Sequence, residues 1–314
     1  MKNNTEIRTI GLVGLGLMGQ GIASCLIRYG FDVIAYSRTE SREQETLAHI
    51  RASFRRLQER NIITPPETAG WEERFRYVNA LEKMEDCQFV IETVGESLEL
   101  KRKIYKTIES VIEHDVVLAT NTSGISIALL QKELDHKERF IGMHWAEPAE
   151  ITKYLEISPG EGTADYAIEM GRQIGLRCNK QPSLLNYDLP GLISNRMMYA
   201  MMREAIHLVE SGVADIETVD RSFRNDIGWW ATICGPFRWM DLTGLPIYAK
   251  VMEGLFPELS NNENLPELMK EKVSSGTKFY NYKGTEEEEW EDAWMDFAHD
   301  ISKITDKYNE RVKL

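Results

Sequence analysis

The sequence is short of cysteine, of long apolar runs and of basic residues relative to acidic ones. Its four cysteines, Cys25, Cys87, Cys178 and Cys234, lie far apart with no CxxC pair and no metal-like spacing. That argues against a disulfide-stapled scaffold or a cysteine-bound metal and suits free thiols in a reducing compartment. No apolar stretch approaches the ~18 residues that a membrane span needs, and the opening Met-Lys-Asn-Asn-Thr-Glu leads into a short strand-like run. A cytoplasmic protein is expected. Lys and Arg number 37 against 50 Asp and Glu, a formal net charge of −13, which argues against general binding to nucleic acid or an anionic membrane. Internal repeats and low-complexity tracts are also missing.

What is present is an ordinary globular composition, 42% hydrophobic and 28% charged, in 314 residues, a length that suits two domains. Thr9–Val13 is an apolar run followed at once by Gly14-Leu15-Gly16-Leu17-Met18-Gly19, after which residues 20–29 have helical character. A GxGxxG between strand and helix has a physical meaning. The first glycine permits a tight turn, the second lets backbone approach a pyrophosphate, the third lets helix and strand pack closely, and the helix start faces the phosphate charge. Gly14, Gly16, Leu17, Met18 and Gly19 are therefore the expected dinucleotide contacts. A second strand at residues 31–36 ends in Ser37-Arg38-Thr39, with Arg42 close behind. An acidic residue there would select NAD through the ribose hydroxyl, whereas arginine beside a small hydroxyl suits the 2′-phosphate of NADP. NADP is the expected cofactor, with NAD the alternative. Arg51, Arg55 and Arg56 further on suit a solvated helix face, with contact to a phosphate of a large substrate as the alternative.

Two more buried-strand patterns follow, residues 88–93 ending in Gly95-Glu96-Ser97 and residues 116–120 ending in Asn121-Thr122-Ser123-Gly124. In an open parallel sheet such loops line the ligand crevice, which collects Gly14, Ser37, Glu96, Asn121 and His144 on one edge. His144 ends an apolar run and Glu156 sits inside another, twelve residues on. If the two runs are neighbouring strands, the carboxylate can accept from one ring nitrogen and leave the other free to exchange a proton. The same pattern would also fit a strand-end histidine with no chemistry.

Beyond a loose stretch at residues 176–189, the pattern turns helical. A helix over residues 193–211 carries a stripe of Met197, Met198, Met201, Met202 and Ile206, expected as core or subunit interface. The Trp229-Trp230 pair suits core packing, with a place in the lining of a substrate pocket as the alternative. Thr285 with Glu288 suggests a capping box for a last helix, whose Trp290, Trp294, Phe297, Ile301, Ile304 and Tyr308 line one face. The expected architecture is an α/β dinucleotide-binding domain over residues 1–184 and an all-α domain over residues 185–314.

Gly-Leu-Gly-Leu-Met-Gly-Gln-Gly-Ile-Ala, Val-Ile-Glu-Thr-Val-Gly-Glu with Leu-Glu-Leu-Lys, Thr-Asn-Thr-Ser, Phe-Ile-Gly-Met-His, Tyr-Leu-Glu-Ile, Pro-Gly-Leu-Ile-Ser-Asn-Arg, Cys-Gly-Pro-Phe and Lys-Phe-Tyr-Asn-Tyr occur in that order. Together they make the chain resemble the L-3-hydroxyacyl-CoA dehydrogenases, with residues 195–210 most like the lambda-crystallin and gulonate dehydrogenase branch. The resemblance implies a Rossmann-type domain holding NAD(P) and a helical domain that completes the pocket and forms a homodimer. It implies His144 as general base, Glu156 orienting it, Ser123 and Asn195 bonding the reacting oxygen, and Glu96, Lys101 and Asn121 along the cofactor. The implied substrate is a small hydroxy compound, a 3-hydroxyacyl group with or without a CoA handle. A small hydroxy or sugar acid and a non-catalytic dinucleotide-binding role are the alternatives. Two positions depart from the family pattern. Glu147 replaces asparagine, and a second carboxylate beside the His144–Glu156 pair would disfavour an anionic thioester enolate or favour a cationic or polyhydroxyl substrate, while Ser37-Arg38 replaces the acidic residue that selects NAD.

Overall fold

The computed structural model describes residues 7–312, and the chain divides into two compact units, one ending at Ile193 and one starting at Ser194. In the first unit strand and helix alternate: β1 (Thr9–Val13), α1 (Leu17–Arg28), β2 (Asp32–Tyr36), α2 (Ser41–Glu59), β3 (Phe75–Val78), β4 (Phe89–Glu92), α3 (Leu98–Glu109), β5 (Val117–Thr120), α4 (Ile127–Leu130), β6 (Phe140–Trp145), β7 (Tyr154–Pro159), α5 (Asp165–Arg177) and β8 (Gln181–Leu184). One eight-stranded sheet runs in the order β3-β2-β1-β4-β5-β6-β7-β8. β1 to β6 are parallel, β7 turns back antiparallel to β6, and β8 runs parallel to β7.

Both faces of this sheet are covered, and the strands read as continuous apolar runs for that reason. Successive side chains alternate between two cores. Ile10, Leu12, Phe89, Ile91, Val117 and Ala119 pack with Ile22, Leu26, Phe54 and Ile174 from α1, α2 and α5. Val13, Ile34, Val90 and Leu118 pack with Ile104, Tyr105 and Ile108 of α3 and Ile127 and Leu130 of α4. The strand order reverses between β1 and β4, which makes the loops after those two strands the crevice of an open α/β sheet.

β3 and β8, the outermost strands, were not anticipated. β3 buries only its two ends, Phe75 and Val78, and β8 is half-buried only at Pro182 and otherwise exposed. An edge strand needs only one paired flank and tolerates polar residues and proline, so its apolar signal is weak.

The second unit is helical: α6 (Ser194–Glu210), α7 (Ile216–Asn225), α8 (Ile227–Ala231), α9 (Gly235–Thr243), α10 (Leu245–Leu255), α11 (Glu267–Ser275) and α12 (Glu286–Val312). None of α6 to α11 has a buried residue. Met197, Met201, Met202, Trp290, Trp294 and Phe297 are all exposed. Trp229, expected in a core, is 78% exposed, while its neighbour Trp230 stacks on Trp239 at 5.5 Å. Helical spacing reports an apolar face but not what covers it. The start of α12 also differs from expectation. Glu286 Oε2 accepts from the Lys283 N–H at 2.8 Å and Thr285 Oγ1 donates to Glu289 Oε1 at 2.7 Å. The acidic run offers several carboxylates at equivalent spacing, and the pairing settles one turn position away from Glu288.

Among the described residues, no helix is long and apolar enough to cross a membrane.

Candidate active site

The glycine loop shows two close constraints and one open position. Gly14 has φ +105°, and a Cβ there would lie 2.8 Å from the Thr93 carbonyl carbon. A Cβ on Gly19 would lie 2.1 Å from the Gly14 carbonyl oxygen. A Cβ on Gly16 would meet nothing within 4 Å, so no contact among the described residues requires glycine there, and the open backbone matches the approach a pyrophosphate needs. Gly16 caps α1 without a side-chain hydrogen bond, and its first turn holds no acidic residue. By contrast Ser97 caps α3 and Asp215 caps α7 through their side chains. The free N–H groups of Leu17 and Met18 and the positive end of the helix dipole are therefore available to an anion. Thr93 Oγ1 donates to the Gly14 carbonyl at 2.8 Å and Gly14 N donates to Tyr36 O at 2.8 Å, which ties this loop to the ends of β4 and β2. The residues present fit a bound dinucleotide.

At the end of β2, Ser37 is half-buried and its carbonyl accepts from Tyr77 Oη at 2.9 Å. Arg38 is exposed and has no bonded partner among the described residues. Arg42 is taken up by Glu45, Nη1 to Oε2 at 2.6 Å.

The loops after β4 and β5 are joined by carboxylates. Glu96 Oε1 accepts from Thr122 Oγ1, from Ser123 N at 3.2 Å and from Gly124 N at 3.1 Å. Burial pushes the Glu96 carboxyl up, but the Thr122 hydroxyl and the Lys101 charge outweigh it and hold the group below the usual carboxylate range. Lys101 is sealed, its ammonium 2.9 Å from Glu92 Oε1 and 3.5 Å from Glu96 Oε2. Glu92, which sequence reading passed over, also accepts from Tyr105 Oη at 2.6 Å and Thr120 Oγ1 at 2.8 Å. Burial and the Glu92 charge hold the Tyr105 phenol well above its ordinary value. Asn121 Oδ1 accepts from Trp145 N at 2.8 Å, which fastens the Ser123 loop beside His144. Ser123 itself is exposed.

His144 and Glu156 stand directly opposite in the antiparallel β6–β7 register, so both side chains leave the sheet on the same face. Their side chains are 12% and 3% exposed, and Nδ1 lies 3.8 Å from Glu156 Oε2. That distance is too long for a hydrogen bond. The Tyr154 hydroxyl lies between them, 2.7 Å from His144 Nδ1 and 2.7 Å from Glu156 Oε2. Tyr154 was not singled out from sequence, although its place two residues before Glu156 puts it on the same strand face.

Glu147 does not pair with His144. It precedes Pro148 in a cis peptide bond, and the charged groups that act on it are Glu150, His49 and Arg56. Burial, helped by the Glu150 charge, pushes its carboxyl up to about 7. Glu150 is 5% exposed, and His49 Nε2 lies 3.7 Å from its Oε1. The charges that act on Glu147 thus come from Glu150, three residues further on, and from His49 and Arg56 of α2. Asn195 lies in the first turn of α6, in the second unit.

A family model described as "3-hydroxyacyl-CoA dehydrogenase, NAD binding domain" matches residues 9–187, and its C-terminal-domain counterpart matches residues 191–284. A curated 5-formyl-3-hydroxy-2-methylpyridine 4-carboxylate 5-dehydrogenase from Mesorhizobium japonicum is 33% identical over 270 residues, covering 86% of each chain. A 3-hydroxybutyryl-CoA dehydrogenase from Bradyrhizobium diazoefficiens is 30% identical over 286 residues, 88% of this chain and 96% of that one. A crystal structure of the pyridine-carboxylic acid dehydrogenase, described as an NAD+-dependent dismutase, superposes with a TM-score of 0.86 at 30% identity, covering 95% of this chain and 97% of the other. Matches over both units, at this identity and coverage, carry one conclusion: the chain belongs to the 3-hydroxyacyl-CoA dehydrogenase family.

Proposed function

We propose that the chain is an NAD(P)-dependent dehydrogenase that interconverts a 3-hydroxyacyl substrate, with or without a CoA handle, and its 3-oxo product. The observation that carries this reading is the place of His144, at the crevice edge of the sheet with the buried Glu156 carboxylate behind it. Gly14, Gly16, Leu17, Met18 and Gly19 would hold the pyrophosphate, and Glu96 and Asn121 would order the loops on either side. Lys101 acts from beneath by neutralising Glu92 and Glu96. The nicotinamide, when bound, supplies the hydride acceptor. His144 Nε2 has no partner among the described residues and takes the substrate hydroxyl proton as general base. Ser123 is assigned a hydrogen bond to the reacting oxygen, and the family resemblance assigns Asn195 the same role.

For the cofactor, Ser37 and the unpaired Arg38 support NADP over NAD, because a guanidinium can bind a 2′-phosphate in two-pronged fashion. For assembly, the exposed apolar side chains of the helical unit support a homodimer through that unit, because an exposed apolar surface of this kind marks an interaction site. A second reading, a small hydroxy acid without CoA, is favoured by the likeness to the pyridine-carboxylate dehydrogenase, which exceeds 0.8 in TM-score over 95% of the chain.

The test is oxidation of NADPH, and of NADH in parallel, with acetoacetyl-CoA and then with free 3-oxo acids. Turnover that disappears in His144→Ala, while reduced cofactor still binds, supports the reading. Equal loss of turnover and of cofactor binding would remove His144 from its role. Turnover with free acids alone would select the second reading.

A further inference from the structure

We infer that Tyr154 is a positioning residue, its hydroxyl forming the link through which Glu156 fixes the tautomer and orientation of His144. The inference rests on the reading of His144 as the base.

Three distances define the arrangement. Tyr154 Oη is 2.7 Å from His144 Nδ1 and 2.7 Å from Glu156 Oε2, whereas the direct separation from Nδ1 to Oε2 is 3.8 Å. Both short contacts are full hydrogen bonds and the direct one is not. Strand geometry makes the insertion possible. Tyr154 and Glu156 are two residues apart on β7 and share a face, and His144 lies opposite Glu156 on the adjacent strand. A diagonal neighbour is beyond the reach of a short side chain and within that of a tyrosine. The two rings meet edge to face, centroids 5.4 Å apart at 88°, so the imidazole plane is held as well as its nitrogen.

Proton counting then sets the tautomer. An ionised carboxylate can only accept, and a phenol has one proton to give. Tyr154 donates that proton to Glu156, so it can only accept from His144, and Nδ1 must carry a hydrogen. Nε2 is left with its lone pair, the form a general base needs. When the ring gains a second proton, its positive charge forms 3.8 Å from the Glu156 carboxylate, close enough to be stabilised inside a largely buried pocket. With Phe in place of Tyr154, nothing would bridge that gap, and the ring could rotate or exchange its proton between the two nitrogens.

The test uses the full chain with 15N-labelled histidine. Of the six histidines, His144 is identified by the signals lost in His144→Gln. The expected two-bond spectrum shows a protonated Nδ1 and a bare Nε2 for the wild type, and a mixture of tautomers for Tyr154→Phe. In kinetics, Tyr154→Phe should lower kcat by about 10²-fold and leave KM within about twofold. Glu156→Gln should do the same. The double variant should be no worse than either single one, because both interrupt one chain of bonds. A wild-type His144 protonated at Nε2, a Tyr154→Phe spectrum equal to the wild type, or losses that simply multiply would each overturn the inference. The spectrum needs no substrate. A wild-type chain that turned over no hydroxy compound would therefore sink the functional reading while the tautomer still decided the role of Tyr154.

Discussion

The ammonium of Lys101 lies 2.9 Å from Oε1 and 3.0 Å from Oε2 of Glu92, with 1% of one side chain and none of the other exposed to solvent. A buried pair of this kind adds little relative to an apolar pair, but removing one member strands the other's charge. Lys101→Met should therefore cost about 3–5 kcal/mol and lower the melting temperature by roughly 10 °C. Thermal unfolding of the two proteins measures it, and a loss below about 1 kcal/mol would show that Glu92 protonates or finds water.

The glycines of the loop after β1 should separate by what their substitution damages. Gly16→Ala meets open space, so the melting temperature should hold within about 2 °C while the Kd for reduced cofactor rises at least tenfold, roughly 1.4 kcal/mol. Gly19→Ala drives a methyl into the Gly14 carbonyl and should cost about 1–3 kcal/mol of stability by overpacking. Cofactor fluorescence beside a denaturant titration reads both quantities. Unchanged binding by Gly16→Ala would argue against a pyrophosphate at this loop.

Arg38→Ala should weaken NADPH binding about tenfold or more, the worth of one charge-assisted pair, with NADH binding unchanged. Equal effects on the two cofactors would mean that Arg38 does not meet the 2′-phosphate.

Glu147 carries a pH dependence whose sign follows from its environment. Its carboxyl, ordinarily at 4.5, is pushed up to about 7, first by burial and then by the Glu150 charge. Between those values the folded chain holds more protons at this site than the unfolded one, so stability falls as pH rises through about 7 and levels off beyond. Glu147→Gln lacks this slope. Its melting temperature relative to wild type should climb by a few degrees from pH 5 to pH 8, and a constant difference would contradict the assigned burial.

Much of this was legible in the sequence because the signals are local. The glycine loop sits between a strand and a helix, and apolar runs mark the buried parallel strands. The spacing of His144 and Glu156 needs only one antiparallel turn to bring them opposite each other. What escaped notice depends on three dimensions. β8 is an edge strand with Pro182 in it, and its pattern is that of a loop. Glu147 looks like a partner of His144 because they are three residues apart, yet the charges that act on it are Glu150, three residues further on, and His49 and Arg56 of α2, about a hundred residues earlier. Tyr154 was visible as a same-face residue, but only the 3.8 Å gap beside it gives it a task.

The helical unit buries, among its described residues, only Ala298 and His299 below one-tenth exposure. The free energy of folding of a segment built this way includes a term for whatever covers it. If a second copy is the cover, the mass-action law enters directly. Dilution should lower its unfolding temperature while the sheet-bearing half, whose core is closed, holds its value. Newly synthesised chains would then pass through a stage in which the first half is complete and the second remains open to proteases, and the length of that stage would be set by expression level.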